Sequence, residues 1–288
     1  TPFDFVGKGT QAAIKIELSL TSGKADKSSI ILIEEPENHL TYSKMNKLIS
    51  EITKLNNEKQ IFITTHSSFV ANKLNIKNLI LLSKDKNTSF SRLTPETINF
   101  FEKKPGYDTL RLLLCKKAIL VEGDADELIV QKAYLNKNGI LPIENDIDVI
   151  SVGNTFLRFL EISTLLEKET IVVTDNDGDI EQLKNKYENY LGKNEKNFIK
   201  ICYDDETHIE QGNLRSKNGG TFNYDTLEPC MLRANNLDTL NEILETNKST
   251  DDELIYYMVN NKTECALKIF DTTQNIKFPK YIEDSINE

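Results

Sequence analysis

The chain has 288 residues, of which 39% are hydrophobic and 28% charged, and its formal net charge is −10. This length allows two ordinary domains, and the composition is typical of globular protein rather than of a disordered chain. No apolar run approaches the roughly 18 residues that a membrane span needs, and the four cysteines lack C-x-x-C spacing. We therefore expect a reduced, cytoplasmic protein with no membrane partner, no zinc site and no disulfide framework.

Residues 1–84 alternate strand and helix signals in the order typical of βαβ units. Short apolar runs predict buried parallel strands at 29–33, 60–64 and 79–82, and helical spacing of apolar residues predicts helices at 12–20, 40–55 and 69–74. The polar stretch 85–112, which contains two prolines, predicts a linker.

A second α/β unit is predicted over residues 113–288. Its strands are expected at 117–121, 147–152 and 169–174, and its first helices at 125–135 and 156–166. The polar stretch 194–220 predicts a surface excursion, and helices are expected again at 237–246, 251–260 and 263–270. This pattern predicts a Rossmann-like parallel sheet with a helical carboxyl-terminal part.

Two carboxylates, Glu34 and Glu35, follow the first predicted strand, and His66 follows the second. Open α/β sheets bind ligands at this edge. One acid there can hold the Mg²⁺ of a nucleotide, the next can orient the attacking water, and a histidine can reach a γ-phosphate. Each feature alone is also found in solvated loops, whereas their order and spacing are less common together.

With the segment 37–40 that follows, this stretch resembles the ABC-type ATPase heads of the SMC and Rad50 kind. The resemblance implies that Glu34 and Glu35 form the Walker B pair, with Glu35 catalytic, that 37–40 is the D-loop and that His66 is the switch histidine. It also implies that ATP is bound between two such heads, and hence a homodimer or a higher homo-oligomer.

The glycine-bearing turn with Gly7 and Gly9 lies where these heads carry their signature motif, although the usual serine-glycine-glycine core is absent. A Walker A loop, G-x-x-x-x-G-K-[ST], is not found in the sequence. We therefore expect the chain to be the carboxyl-terminal part of a longer protein, and to hydrolyse no ATP by itself.

A second set of acids follows two strands of the second unit. Glu122 ends the strand at 117–121, Asp126 opens the next helix, and Asp175 and Asp177 follow the strand at 169–174. If these strands are parallel neighbours, the four carboxylates meet at one edge and raise each other's pKa values unless a cation compensates. Two Mg²⁺ or Mn²⁺ ions held there could activate a water and stabilise the leaving oxygen of a phosphodiester.

Other interpretations of this acidic turn are weaker. A calcium loop of the EF-hand type needs glycine at its sixth position and glutamate at its twelfth, and neither is present here. A merely solvated turn would not explain the glutamate-glycine pair at the end of an earlier strand. Bound divalent cations would also reduce the conflict between the net negative charge and a polyanionic substrate.

A glutamate after one strand and Asp-x-Asp after a later one resemble the Toprim fold of topoisomerases, primases and recombination nucleases. An ABC head followed by Toprim is the architecture of the OLD family (overcoming lysogenization defect), and the Glu122 to Asp126 spacing resembles its Gabija-like form. The resemblance implies that Glu228 completes the metal shell and that Lys262 neutralises charge on the scissile phosphate. Without the resemblance, Glu228 is only an acid near a helix start, and Lys262 could be an ordinary solvated lysine.

The function predicted is a metal-dependent endonuclease or nickase that acts on double-stranded DNA and is gated by the attached ATPase. The resemblance further implies anti-phage defence in bacteria, with a possible partner protein. The alternatives are a topoisomerase, for which no tyrosine lies in a recognisable setting, a primase, for which the zinc module is missing, and a DNA-binding or nucleotide-sensing scaffold with an inactive acidic site.

Overall fold

The computed structural model describes residues 7, 11, 14–16, 18, 29–38, 40–55, 59–83, 86–103, 108–208, 212–215 and 219–287. The chain divides into two compact units, Thr1–Leu110 and Arg111–Glu288. The finer division into a lobe at 1–84, a linker at 85–112 and a domain at 113–288 stays a prediction. None of the described helices is long and apolar enough to cross a membrane.

The first unit contains a βαβ arrangement, as the sequence predicts. Strands β1 (Ile30–Glu34) and β2 (Gln60–Thr64) pair in parallel, with Ile30 opposite Gln60. Helix α1 (Tyr42–Leu55) connects them and buries its apolar positions against the sheet, and helix α2 (Ser68–Lys73) follows β2. The parallel pairing brings the ends of both strands to one edge.

The strands of this sheet are not buried on both sides, so the expectation of fully buried strands is wrong. Leu32 of β1 is 77% exposed and Phe62 of β2 is 51% exposed, whereas Ile33 is buried. The burial alternates because α1 covers one face of the sheet only. Gly9, and most of the helix predicted at 12–20, lie outside the described residues; residues 14–16 and 18 are helical.

The third predicted strand does not extend this sheet. Strand β3 (Ile80–Leu82) instead pairs antiparallel with β4 (Asn87–Ser89), which follows it after four residues. Helices α3 (Pro95–Lys103) and α4 (Asp108–Leu114) follow, and all of α3 and most of α4 lie in the stretch predicted as a linker.

The second unit confirms the α/β class with a four-stranded parallel sheet in the order β6-β5-β7-β8. Its strands are β5 (Lys117–Val121), β6 (Ile147–Ser151), β7 (Glu169–Val173) and β8 (Ile199–Cys202). Strand β8 lies inside the predicted polar excursion, which was therefore wrong at this point. Helices α5 (Asp124–Asn138), α6 (Phe156–Leu166) and α7 (Ile180–Lys186) accompany the sheet.

A helical part completes the second unit. It contains α8 (Leu227–Ala234), α9 (Leu237–Leu244), α10 (Asp251–Asn260), α11 (Lys262–Asp271) and α12 (Lys280–Ile286). Helix α11 packs against α5, and α12 packs against α5, β7 and β8. One apolar core is therefore shared by the sheet and the carboxyl-terminal helices, which brings residues distant in sequence to the sheet edge.

Candidate acidic site of the second unit

Strands β5 and β7 are direct parallel neighbours, so their carboxyl ends lie at the same edge of the sheet. Glu122 follows β5 immediately, and Asp175 comes two residues after the end of β7. The topology alone therefore places the two predicted strand-end acids close together.

Asp126 lies in the first turn of α5 and also caps that helix. Its Oδ2 accepts a hydrogen bond from the backbone N–H of Gly123 at 3.1 Å. A Cβ atom at position 123 would lie 3.3 Å from the same oxygen, which is a tight contact. The glycine after Glu122 thus lets the carboxylate approach the strand end.

The Asp-x-Asp turn is held by its middle residue. Asn176 is buried, and its Nδ2 donates to the carbonyl oxygens of Asp204 (2.8 Å) and Glu206 (2.7 Å), while its Oδ1 accepts from the N–H of Gly178 at 2.8 Å. Asp177 itself has a left-handed φ of 53°. Sequence reasoning missed this asparagine, because its partners lie in a loop almost thirty residues away.

Glu228 and Lys262 join the acids from the helical part. Glu228, in the first turn of α8, is only 3% exposed, and its Oε1 lies 3.1 Å from the Nζ of Lys262, the first residue of α11. Burial lowers the pKa of Lys262, but attraction to Glu228 and then to Asp126 outweighs it, and the net shift is upward. Lys262 is therefore charged and partly balances the acids.

The carboxyl groups repel each other strongly. Burial, followed by repulsion from Glu228 and Glu122, raises the pKa of Asp126 to about 6. Burial, followed by repulsion from the neighbouring acids with Asp126 first, raises the pKa of Asp175 well above its usual range. The pKa of Glu122 is raised by burial and then by Asp177. These five side chains therefore share one electrostatic environment.

Further residues that the sequence did not reveal contact these acids. The buried Tyr281 of α12 donates its hydroxyl to Asp175 Oδ1 at 3.4 Å, and Asn223 donates its Nδ2 to Asp177 Oδ1 at 3.3 Å. Attraction to Lys186 partly offsets the rise in the pKa of Glu122. No local pattern marks these residues, since each reaches the site through tertiary contacts.

The donor set fits a hard divalent cation in its chemistry. The five acids offer only carboxylate oxygens, the ligands that Mg²⁺ and Mn²⁺ prefer. The raised pKa values of Glu122, Asp126 and Asp175 indicate negative charge that a bound cation would stabilise. Among the residues that the structure describes, however, no three His, Cys, Asp or Glu side chains are arranged to hold an ion as they stand. Metal binding would therefore require side-chain rotation.

Two of the residues predicted to act at the nucleotide, Glu35 and His66, also meet at a sheet edge. Glu35 follows β1 with a left-handed φ of 40°, and its Oε1 lies 3.4 Å from the Nε2 of His66. Its Oε2 accepts from Asn38 Nδ2 at 2.6 Å. Glu34 is exposed, and the carbonyl of the exposed Gly7 accepts a hydrogen bond from the backbone N–H of Gln11.

Glu37 links the two loops at this edge and was not singled out as a site residue. Its Oε1 accepts from Thr65 Oγ1 at 2.6 Å and from the backbone N–H groups of His66 and Ser67 at 2.8 and 3.1 Å. One carboxylate oxygen thus fixes the loop that carries His66.

Comparison with known proteins defines the class. The family of overcoming lysogenization defect protein-like TOPRIM domains matches residues 113–177, and the AAA ATPase domain family matches residues 1–71. The chain therefore joins an ATPase-type domain to a Toprim domain. These matches confirm the resemblance to OLD-family proteins.

One curated relative is the Old nuclease of Escherichia phage P2, which is 24% identical over 273 residues. The match covers 75% of this chain but 46% of the phage protein, so the chain spans about half the length of this curated relative. Two solved structures of the C-terminal region of the Xanthomonas campestris pv. campestris OLD protein are also similar. They are 19% and 20% identical, cover 61% and 60% of this chain and 92% and 93% of theirs, and give TM-scores of 0.42 and 0.39.

Proposed function

We propose that this protein is a metal-dependent DNA endonuclease that nicks or cuts double-stranded DNA with its Toprim domain. The observation that carries the proposal is the convergence of five mutually repelling carboxyls with one lysine at the carboxyl ends of β5 and β7. The name of the phage P2 relative, a nuclease, supports the same activity.

The acids and the lysine have separate roles in this proposal. Two Mg²⁺ or Mn²⁺ ions would supply an activated water and stabilise the leaving oxygen. Five carboxylates would hold them: Glu122, Asp126, Asp175, Asp177 and Glu228. Lys262 already neutralises a buried carboxylate at 3.1 Å. With the metals bound, its ammonium would be free to stabilise the charge that develops on the scissile phosphate.

The ATPase-type unit would regulate this cutting in the full-length protein. There, Glu35 and His66 would act at the γ-phosphate of ATP; the Oε1 of Glu35 lies 3.4 Å from the Nε2 of His66. Glu34, Gly7 and Gly9 would complete the nucleotide sites. We further propose a cytoplasmic homodimer or higher oligomer that serves in anti-phage defence, with or without a partner protein.

The proposal is tested by incubating the protein with supercoiled plasmid and Mg²⁺ or Mn²⁺. We expect nicked or linear product, and we expect Glu122→Gln to reduce the rate by at least about 100-fold because it removes a charged metal ligand. Asp124→Asn, at an exposed acid two residues further along the chain, is the matched control and should cut normally. If the folded wild-type protein leaves the plasmid supercoiled with every metal, the scaffold alternative is correct.

A further inference from the structure

Lys186 occupies a defined position beside the acidic edge. It is the last residue of α7, and its ammonium lies over two aromatic rings, 5.4 Å from the centroid of Phe156 and 5.2 Å from that of Tyr187. Both rings are fully buried and meet edge to face at 6.5 Å. The ammonium therefore contacts two aromatic side chains of the core of this unit.

Within the described part of the protein, the ammonium of Lys186 has no carboxylate as an ion-pair partner. The side chain is exposed, and it forms no ion pair with a described carboxylate. Its neighbour Phe156 begins α6 three residues after Gly153, whose backbone N–H donates to the carbonyl oxygen of Glu122 at 2.9 Å, so Lys186 lies at the edge of the sheet that carries the acids. Two other lysines of the unit differ in this respect. Lys262 pairs with Glu228 at 3.1 Å, and Lys184 pairs with Glu181 at 3.6 Å.

A purely structural role explains only part of this arrangement. Long lysine side chains do cover apolar surface while the ammonium stays in water. That role does not require the ammonium to lie at the edge of the sheet that carries the acids. An ammonium above a ring keeps N–H donors free for a further acceptor, and the acidic edge is where the proposed reaction holds a polyanion.

We propose that Lys186 binds a backbone phosphate of the DNA strand held at the acidic edge, as a second substrate-contacting cation beside Lys262. This inference rests on the proposed nuclease function. The contacts with the rings of Phe156 and Tyr187 would hold the ammonium in place before DNA binds. The lysine would then bind a phosphate at a defined distance from the carboxyl ends of β5 and β7.

The test compares Lys186→Met with Lys184→Met in full-length protein that also carries Glu122→Gln, so that DNA is bound but not cut. Binding of a double-stranded oligonucleotide in Mg²⁺ is measured at several salt concentrations. Loss of one phosphate contact should make the negative slope of log K against log salt less steep by about 0.9 and weaken binding several-fold. Lys184→Met, on the same helix, should change neither quantity.

Steady-state cutting in the otherwise wild-type protein gives an independent readout. Lys186→Met should raise KM for DNA several-fold with little change in kcat, and Lys186→Arg should restore KM because it keeps the charge. If the protein binds and cuts DNA but Lys186→Met matches Lys184→Met, the phosphate contact is wrong and the nuclease proposal stands. If the wild-type protein neither binds nor cuts DNA, both proposals are overturned.

Discussion

Asp126 combines two roles whose energetic requirements oppose each other. Its Oδ2 accepts the hydrogen bond that begins α5, a contact that favours folding. Its negative charge is buried among other acids, and this raises its pKa to about 6. A carboxylate kept in such a position without a strong cation partner lowers stability, which is typical of functional sites rather than of structural ones.

The first prediction concerns this charge. Because the folded-state pKa of Asp126 is about 6 against an ordinary value of 3.8, the folded protein binds the proton more tightly than the unfolded chain. The stability from the protonated form is present below about pH 4 and is lost as the pH rises through 6. Asp126→Asn keeps an acceptor for Gly123 and removes the charge. It should stabilise metal-free protein at pH 7 by about 1–3 kcal/mol.

Urea unfolding in EDTA at pH 4, 5, 6 and 7 measures this effect. The difference between Asp126→Asn and the wild type should grow between pH 4 and 6, because the wild type loses stability there. Asp124→Asn, at an exposed position of the same helix, should follow the wild-type curve. A variant that is less stable than wild type at pH 7 would show that capping, not repulsion, dominates at this residue.

At this scale, the sequence revealed the acids but not their surroundings. Glu122 and Asp175 could be found because strand ends are visible as the ends of apolar runs, and parallel neighbours share an edge. Tyr281 could not be found, because its hydrogen bond to Asp175 spans 106 positions and no pattern encodes it. Asn176 was visible in the motif, but its anchoring role depends on a loop whose path the sequence does not give.

Among the elements, the strongly apolar ones were predicted well. The bounds of β5 and α6 agree with the expected ranges. The apolar residues of β5 are continuous, as in a buried strand, and those of α6 recur at helical spacing. Strand β8 was missed because its four residues alternate within a polar stretch. Helix α8 was anticipated only as a helix start near Glu228 and was given no bounds, because it carries Pro229, which a first turn tolerates but which usually indicates a break.

The second prediction concerns Glu37, which joins the loops after β1 and β2. Glu37→Ala leaves three donors, on Thr65, His66 and Ser67, without their carboxylate acceptor. Because these donors are partly accessible to water, the expected loss is about 2 kcal/mol of unfolding free energy. Glu37→Gln keeps the accepting oxygen and should lose about half as much.

Urea unfolding of the full chain measures both variants. Glu34→Ala, at an exposed acid of the same segment, is the control and should change stability by less than about 0.5 kcal/mol. Equal effects of Glu37→Ala and Glu34→Ala would mean that the three hydrogen bonds contribute nothing measurable to the first unit.

For the whole molecule, the two compact units differ in how completely they are covered. The second unit has a core shared by its parallel sheet and its carboxyl-terminal helices. Every acid of the candidate site belongs to this unit. The sheet of the first unit exposes apolar side chains such as Leu32. Sequence patterns gave the strands of both units, but they do not state what covers each face, so the exposure was not foreseen.

The third prediction follows from the position of α4, which runs across the boundary between the units. Arg111 of this helix donates to both carboxylate oxygens of Asp148, at 3.0 and 2.7 Å, and to Glu127 at 3.1 Å, while Leu112 is fully buried. A fragment of residues 108–288 should therefore fold by itself, whereas one of residues 115–288 should lose several kcal/mol, because Asp148 loses its partner and a buried leucine is removed.

Circular dichroism with urea unfolding distinguishes the two fragments. In the longer one, Arg111→Lys should weaken the bidentate pair and lower stability by about 1–2 kcal/mol, since lysine cannot donate two parallel hydrogen bonds to Asp148. If both fragments are equally stable, α4 belongs to the first unit alone. If the fragment of residues 108–288 folds and cuts plasmid without responding to ATP, the acidic site is complete within the second unit and the ATPase-type unit acts only as its regulator.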